Sequence, residues 1–364
     1  MNSIEESEKY GSDYEYLSPI ISDYKDGEEI FSIIIDCYYG LGLLRESIKS
    51  VLNQSYSNVE LILIDNGAHS NVSIYIYDIY KNNKNVALIK FNENQFFWND
   101  TEKMIVICWN IGVRHSKGSV IRHLAYDDML SLDCIERMSK LFSNNKNCVT
   151  AAPLPVSVDI NGNINKEISN LMSLSNQRPR YMNGKEIALD FIQFGPKNYF
   201  SAPGGILFIK KNIILSTGGF DRSSDVTQII KFAIHGESGF DSKAKIFWRH
   251  HKGQLNKIAK NKGIVWCRDL EYVVKNEKII DMWRDIFTLE QTKMLINYVV
   301  TSVRSDTFDM VKSAIRQKQI VNLFIIMKNI AYKCPDLFLY ILRLSILEMG
   351  SMFVEKFFGK IRIK

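Results

Sequence analysis

Between Phe31 and Ser131, apolar runs of strand length alternate with stretches that carry a helical period, and this alternation is the tightest constraint on the fold. Phe31–Ile35, Val59–Ile64, Val86–Ile89 and the run from Ser119 are short and rich in β-branched or aliphatic residues, as expected of strands buried on both faces. Between them, Leu43–Gln54 places Leu44, Ile48, Val51 and Leu52 on one helical face, and Val72–Lys81 and Thr101–Ser116 also read as helices. Asp65-Asn66-Gly67 is turn chemistry, and Lys117-Gly118 ends the third helix. Such spacing predicts βαβ units, hence an α/β protein with a doubly wound, mainly parallel sheet and flanking helices. The fourth strand stops at Asp127-Asp128, just ahead of a helix-like segment that begins near Ser131. Ligands of open parallel sheets bind in the crevice at the carboxyl ends of the strands. Two acids there suit Mn²⁺ or Mg²⁺, hard cations that bridge carboxylates to substrate phosphates. The structural alternative is a helix N-cap, with Asp127 or Asp128 accepting a backbone N–H.

Further along, Leu132–Phe142 and Asn183–Phe194 read as helices, Val149–Pro155 and Gly205–Ile209 as strands, and Asp159–Asn163 as a hairpin turn between short strands. Gly218-Gly219-Phe220-Asp221 is a tight connection, and from about Leu289 the chain is helix-rich with a break at Pro335. The expected organisation is an acidic extension over 1–29, a catalytic-type domain over 30–288 with halves of about 30–130 and 131–288, and a basic helical region over 289–364. With 364 residues and 46% hydrophobic content the chain can bury a large core and is not disordered. Its six cysteines are scattered without metal-type spacing and read as reduced, which points to the cytoplasm. The first thirty residues show no signal-peptide pattern, and no segment has the length and apolarity of a spanning helix. A glycine-rich nicotinamide-binding turn is missing, and the basic residues form no nucleic-acid motif.

The order of these pieces resembles the family 2 glycosyltransferases of the GT-A fold, over about Phe31 to Leu255. Ser50-Val-Leu-Asn-Gln-Ser-Tyr-Ser-Asn-Val-Glu-Leu-Ile-Leu-Ile-Asp65 is very like that family's passage from its first helix into its second strand. Phe31 to Tyr39 is similar to its opening strand, with Asp36-Cys37 in place of Pro-Thr and Tyr38 retained. Asn110-Ile-Gly112 with Lys117-Gly118 resembles its Arg-Asn-x-Gly helix, with Trp109 where Arg is common. The resemblance implies nucleotide-sugar contacts from Asp36, Cys37, Tyr38, Asp65, Asn66 and Asp127, with Asp65-Asn66 standing where Asp-Asp is usual. It also implies a DXD-like site at Asp127-Asp128, with the divalent metal on Asp128. Gly218-Gly219-Phe220-Asp221 followed by Ser224-Asp225 and Gly236 matches the catalytic-base motif, so Asp225 takes the base position and Asp221 is its rival. Trp248-Arg-His-His251 resembles the Tyr-Arg-x-His motif, which assigns Arg249 to the diphosphate and His251 to the metal.

The activity that the resemblance implies is inverting transfer from a nucleotide-sugar, of the UDP type, to a saccharide or lipid-linked acceptor in surface polysaccharide assembly, with Mn²⁺ or Mg²⁺ as cofactor. The substitutions at Asp36, Cys37, Asn66, Trp109 and Ser224 motivate a different reading, a non-catalytic module of the same fold that binds a glycan or a protein. From Lys312 to Lys364 there are ten Lys or Arg against three acids, interleaved with the apolar runs Val321–Met327 and Leu337–Leu347. These segments are expected to pack on the catalytic domain, on a second subunit, or on the inner face of the cytoplasmic membrane.

Overall fold

The computed structural model describes residues 4–5, 7, 13–96, 101–165, 180–194, 207–223, 225–254, 257–258 and 274–358. They fall into two compact units, Met1–His250 and His251–Lys364.

The first unit is built on one mixed sheet with strand order β1-β4-β3-β2-β5-β9-β7-β10-β6. Its first half contains β2 (Phe31–Cys37), α1 (Leu41–Leu52), β3 (Val59–Asp65), α2 (Ser70–Asn82), β4 (Val86–Phe91), α3 (Thr101–His115) and β5 (Val120–His123). The strands β4, β3, β2 and β5 run parallel, with Cys37 opposite Asp65 and Ile34 opposite His123. Helix α1 buries Leu44, Ile48 and Val51 as its sequence predicts, whereas Leu52, expected on the same face, is exposed at the last helical position. Each such buried aliphatic side chain contributes roughly 1.5–3 kcal/mol. Gly112 lets α3 lie against β2, because a Cβ there would meet Ile34 Cγ2 at 2.8 Å. The Lys117-Gly118 turn is tied down by buried groups: the Lys117 N–H donates to Glu60 Oε2 at 2.8 Å and the Gly118 N–H to Ser32 Oγ at 2.9 Å.

In the second half the parallel order gives way. Strands β6 (Met129–Leu130), β7 (Cys148–Val158), β8 (Tyr181–Asn183), β9 (Phe208–Lys210) and β10 (Glu237–Arg249) alternate with α4 (Cys134–Asn144), α5 (Gly184–Phe194), α6 (Lys211–Ser216) and α7 (Asp225–Ala233). Strand β9 pairs antiparallel with both β5 and β7, and β10 runs parallel to β7 but antiparallel to β6. The 13-residue β10 carries no clear alternation, so only its last residues stand out in the sequence. The expected hairpin turn around Asp159–Asn163 is present among the described residues: Val158 bridges Ile164 antiparallel, the Asn165 N–H donates to the Ser157 carbonyl at 2.8 Å, and Asp159 Oδ1 accepts the N–H groups of Asn161 and Asn163. The acidic extension is less loose than its composition suggests. Within it β1 (Tyr14–Leu17) pairs antiparallel with β4, and the Tyr14 ring lies 5.5 Å from Phe91.

The second unit contains α8 (Glu277–Ile286), α9 (Leu289–Arg316), α10 (Ile320–Lys333) and α11 (Pro335–Phe358). A capping box opens α9: Thr288 Oγ1 accepts the Gln291 N–H at 3.2 Å and Gln291 Oε1 accepts the Thr288 N–H at 3.1 Å. Pro335 occupies the first helical position of α11, where its missing N–H costs nothing. Val303, Val311, Ile326, Ile330, Leu337 and Ile341 form a common core of α9, α10 and α11. Among the described residues no helix is long and apolar enough to cross a membrane. The described cysteines, Cys37, Cys108, Cys134, Cys148 and Cys334, are buried free thiols.

Candidate active site at the strand ends

Because β2, β3 and β5 run parallel, the segments Asp36-Cys37, Asp65-Asn66 and the loop from His123 to Asp128 come to one edge of the sheet. Asp127 and Asp128 are both buried there. Asp128 Oδ1 accepts the Arg249 N–H at 3.0 Å, which joins the end of β10 to the acid pair. Burial, and then the neighbouring Asp127 charge, push the Asp128 carboxyl up to about 8, against lowering by the Arg249 N–H and by the charges of Arg122 and Arg249. Two adjacent, enclosed carboxylates are a poor arrangement by themselves and a suitable one around a divalent cation. Among the described residues no three His, Cys, Asp or Glu side chains converge as a metal cage. A cation that takes one or two carboxylates and completes its shell with phosphate oxygens and water needs no such cage, so the donor set fits Mn²⁺ or Mg²⁺.

The other predicted nucleotide contacts are placed unequally. Asp36 is reached by His123, whose Nε2 lies 2.7 Å from Asp36 Oδ1, and the Trp109 ring stacks on His123 with centroids 3.6 Å apart. Burial alone would raise Asp36, but the hydrogen bond and charge of His123 outweigh it and the carboxyl lies below its ordinary 3.8. The Cys37 side chain turns into the core, where its thiol donates to the Ile35 carbonyl at 3.5 Å and burial raises its pKa well above the ordinary range. Only the backbone of Cys37 serves the strand end, its carbonyl accepting the Asn66 N–H at 3.0 Å. Tyr38 is half-buried and packs edge-on against His69, with centroids 5.2 Å apart. Asp65 Oδ1 accepts the Ala68 N–H and Asn66 Oδ1 accepts the Gln95 N–H, each at 2.8 Å. The second bond fixes the Asn66 amide with its oxygen occupied and its NH₂ buried without a hydrogen-bond partner.

Arg249 is enclosed completely. Its Nη2 lies 2.5 Å from Glu46 Oε2 and 3.1 Å from Met129 Sδ. In this structure its guanidinium therefore faces helix α1 and β6, and its backbone is what reaches the acid pair. His251 begins the second compact unit, where its Nδ1 accepts the Gly253 N–H at 3.1 Å.

The Gly218-Gly219-Phe220-Asp221 turn is held rigidly. Both glycines have φ +86, and a Cβ on Gly219 would meet Asn110 Oδ1 at 2.6 Å. Asp221 Oδ2 lies 2.8 Å from Lys231 Nζ, and Ser223 donates its N–H to Asp221 Oδ1 at 2.8 Å. A carboxylate so engaged serves the turn and is poorly suited to accept a substrate proton. Asp225 is the first residue of α7, and its side chain and Ser224 lie outside the described residues. Glu46, His123 and Lys231 escaped the sequence reading, since each acts through a partner 87 or more positions away or, for Lys231, through a turn already explained by its glycines.

A mainly parallel α/β sheet whose strand ends gather acids, with a mixed half beside it, is a GT-A-type fold. Residues 32–195 match the family Glycosyl transferase family 2. An uncharacterized glycosyltransferase of Haemophilus influenzae is 33% identical over 116 residues, 32% of this chain and 43% of that protein. Another, from Rickettsia typhi, is 24% identical over 261 residues, 69% of this chain and 74% of its own. The chain thus spans less than half the length of the Haemophilus relative. Among solved structures, S. aureus TarS 1–349 in complex with UDP-GlcNAc is similar with TM-score 0.45 and 11% identity, covering 84% of this chain and 91% of that one. At that distance the likeness carries no argument about the site.

Proposed function

We propose that the chain is an inverting, metal-dependent glycosyltransferase that moves a sugar from a UDP-sugar to a saccharide or lipid-linked saccharide acceptor in surface polysaccharide assembly. The observation that supports it most is the enclosed Asp127-Asp128 pair at the strand ends, with one oxygen of Asp128 committed to the Arg249 N–H. Asp127 and Asp128 would hold Mn²⁺ or Mg²⁺, and the cation when bound would neutralise charge on the departing diphosphate. Tyr38 offers an aromatic edge, and Asp36, Asp65 and Asn66 polar groups, for the nucleoside. Asp225 accepts the proton of the acceptor hydroxyl as its oxygen bonds to the anomeric carbon and the bond to the diphosphate oxygen breaks. Attack opposite the leaving group gives inversion.

Ile320, Val321 and Phe324 on α10 and Leu339, Ile346 and Leu347 on α11 are exposed, and basic residues including Lys328 and Arg343 lie among them. An apolar, basic face of this kind suits the anionic inner face of the cytoplasmic membrane, where a lipid-linked acceptor would be found.

Donor hydrolysis tests the enzymatic reading. Purified protein incubated with a panel of nucleotide-sugars should release UDP from a UDP-sugar with Mn²⁺ or Mg²⁺ and stop in chelator. Release from none of them, together with glycan binding that ignores nucleotide, would favour the non-catalytic reading.

A further inference from the structure

The acid-pair loop is fastened to one ridge of α1. Ser47 Oγ donates to the Ala125 carbonyl at 3.2 Å, Ser50 Oγ accepts the Leu130 N–H at 3.1 Å, and Gln54 Nε2 donates to the Ser131 carbonyl at 2.8 Å. Ser47 and Ser50 lie one turn apart on α1 and Gln54 follows just beyond its C-terminal end, so the three bracket Asp127-Asp128 from both sides. Glu46 belongs to the same ridge and is its only charged member. It pairs at 2.5 Å with the guanidinium of Arg249, whose side chain is 0% exposed while that of Glu46 is 54% exposed. The backbone N–H of the same arginine holds Asp128 Oδ1, and residues Ile246 and Phe247 just before it pair with Leu130 and Met129 just after the acids. The charge of this buried guanidinium reaches Asp128.

We infer that Glu46 is a positioning residue for the cation site: through Arg249 it fixes Asp128 and keeps the guanidinium from competing with the metal for the acid pair. The inference rests on the reading that Asp128 binds the cation. The physical ground is that a buried guanidinium deprived of its carboxylate is strongly unfavourable and takes the nearest negative charge available. The Arg249 charge already reaches Asp128, and an arginine engaged with that carboxylate would occupy oxygens the cation needs. Ser47, Ser50 and Gln54 cannot replace Glu46, since they hold the loop backbone and carry no charge.

Manganese binding to the purified full chain, followed by the EPR signal of free Mn²⁺ with UDP present, tests this without turnover. Glu46→Gln should weaken Mn²⁺ binding on the order of 10-fold, within the range that outer-shell partners of metal ligands command. Its melting temperature should stay close to that of the native chain, because the altered side chain is more than half exposed. Glu46→Asp, which keeps the charge, should fall between the two and reports even if Glu46→Gln folds poorly. In turnover assays the loss should appear as a higher Mn²⁺ requirement with kcat regained at saturating metal. Native Mn²⁺ affinity in Glu46→Gln, with binding abolished in Asp128→Asn, overturns the inference alone. Native affinity in Asp128→Asn overturns the reading of the metal site and the inference with it.

Discussion

Asn110 holds Phe220 by both ends of its amide: Nδ2 donates to the Phe220 carbonyl and Oδ1 accepts the Phe220 N–H, each at 2.8 Å. One side chain of α3 thereby completes the hydrogen bonding of a buried turn 110 positions later, and that turn leads into the helix that begins with Asp225. Asn110→Ala would leave a buried N–H and a buried carbonyl unsatisfied at about 1–3 kcal/mol each. Thermal or urea unfolding should show a loss on the order of 2–5 kcal/mol. Turnover of the folded fraction should fall as well, since the turn that aims α7 is released. Unchanged stability would show that the clamp is dispensable.

Asp225→Asn keeps the shape of the proposed base and removes its basicity. The rate of glycosyl transfer should drop on the order of 10²–10⁴ while UDP affinity stays near native. Normal turnover in this variant would exclude Asp225 and require the base to be sought outside the Gly-Gly-Phe-Asp turn, because Asp221 is already paired with Lys231.

The Asp221–Lys231 pair predicts a specific acid sensitivity. Burial by itself would raise the Asp221 carboxyl, yet the charge and hydrogen bond of Lys231 and the Ser223 donors bring it below its ordinary 3.8. A carboxyl whose folded pKa is depressed stabilises the fold above its unfolded pKa and loses that contribution as pH falls through the folded value. Stability should therefore decline below about pH 4, and Asp221→Asn should flatten this part of the profile. Near neutrality the variant should lose about 3–5 kcal/mol, since it leaves the Lys231 ammonium buried without its partner. Asp221→Asn combined with Lys231→Met should recover much of that loss, as a double-mutant cycle by denaturant titration would show.

The exposed apolar and basic face of α10 and α11 predicts binding to anionic lipid. In flotation with phosphatidylglycerol-containing vesicles the chain should rise with the lipid at low salt and be released as salt is raised, because each basic residue near the surface contributes about 1 kcal/mol that ions screen. Phe324→Asp with Leu339→Asp should abolish flotation. Protein that stays at the bottom of the gradient with anionic vesicles at low salt would point instead to a second subunit as the partner of this face, which light scattering would detect.

The sequence by itself determined the elements of the first half of the sheet. The β-branched runs at Phe31, Val59 and Val86 can be buried on both faces only within a parallel sheet, and the spacing of Leu44, Ile48 and Val51 leaves one way to lay α1 on it. It also singled out Asp127-Asp128, although β5 ends at His123 and the pair lies in the turn before β6, and through the glycines at 218 and 219 it located a turn that side-chain-bearing residues would strain. Signals of this kind are local, because period, length and φ are properties of neighbouring residues. Tertiary structure alone decided that Cys37 faces the core while Asp36 meets His123, that the Asn66 oxygen belongs to Gln95, and that Arg249 turns its guanidinium to Glu46 and its N–H to Asp128. Those relations join residues far apart in the chain whose charges and hydrogen bonds are compensated only once the sheet is assembled, and no local pattern encodes which distant partner a buried polar group will find.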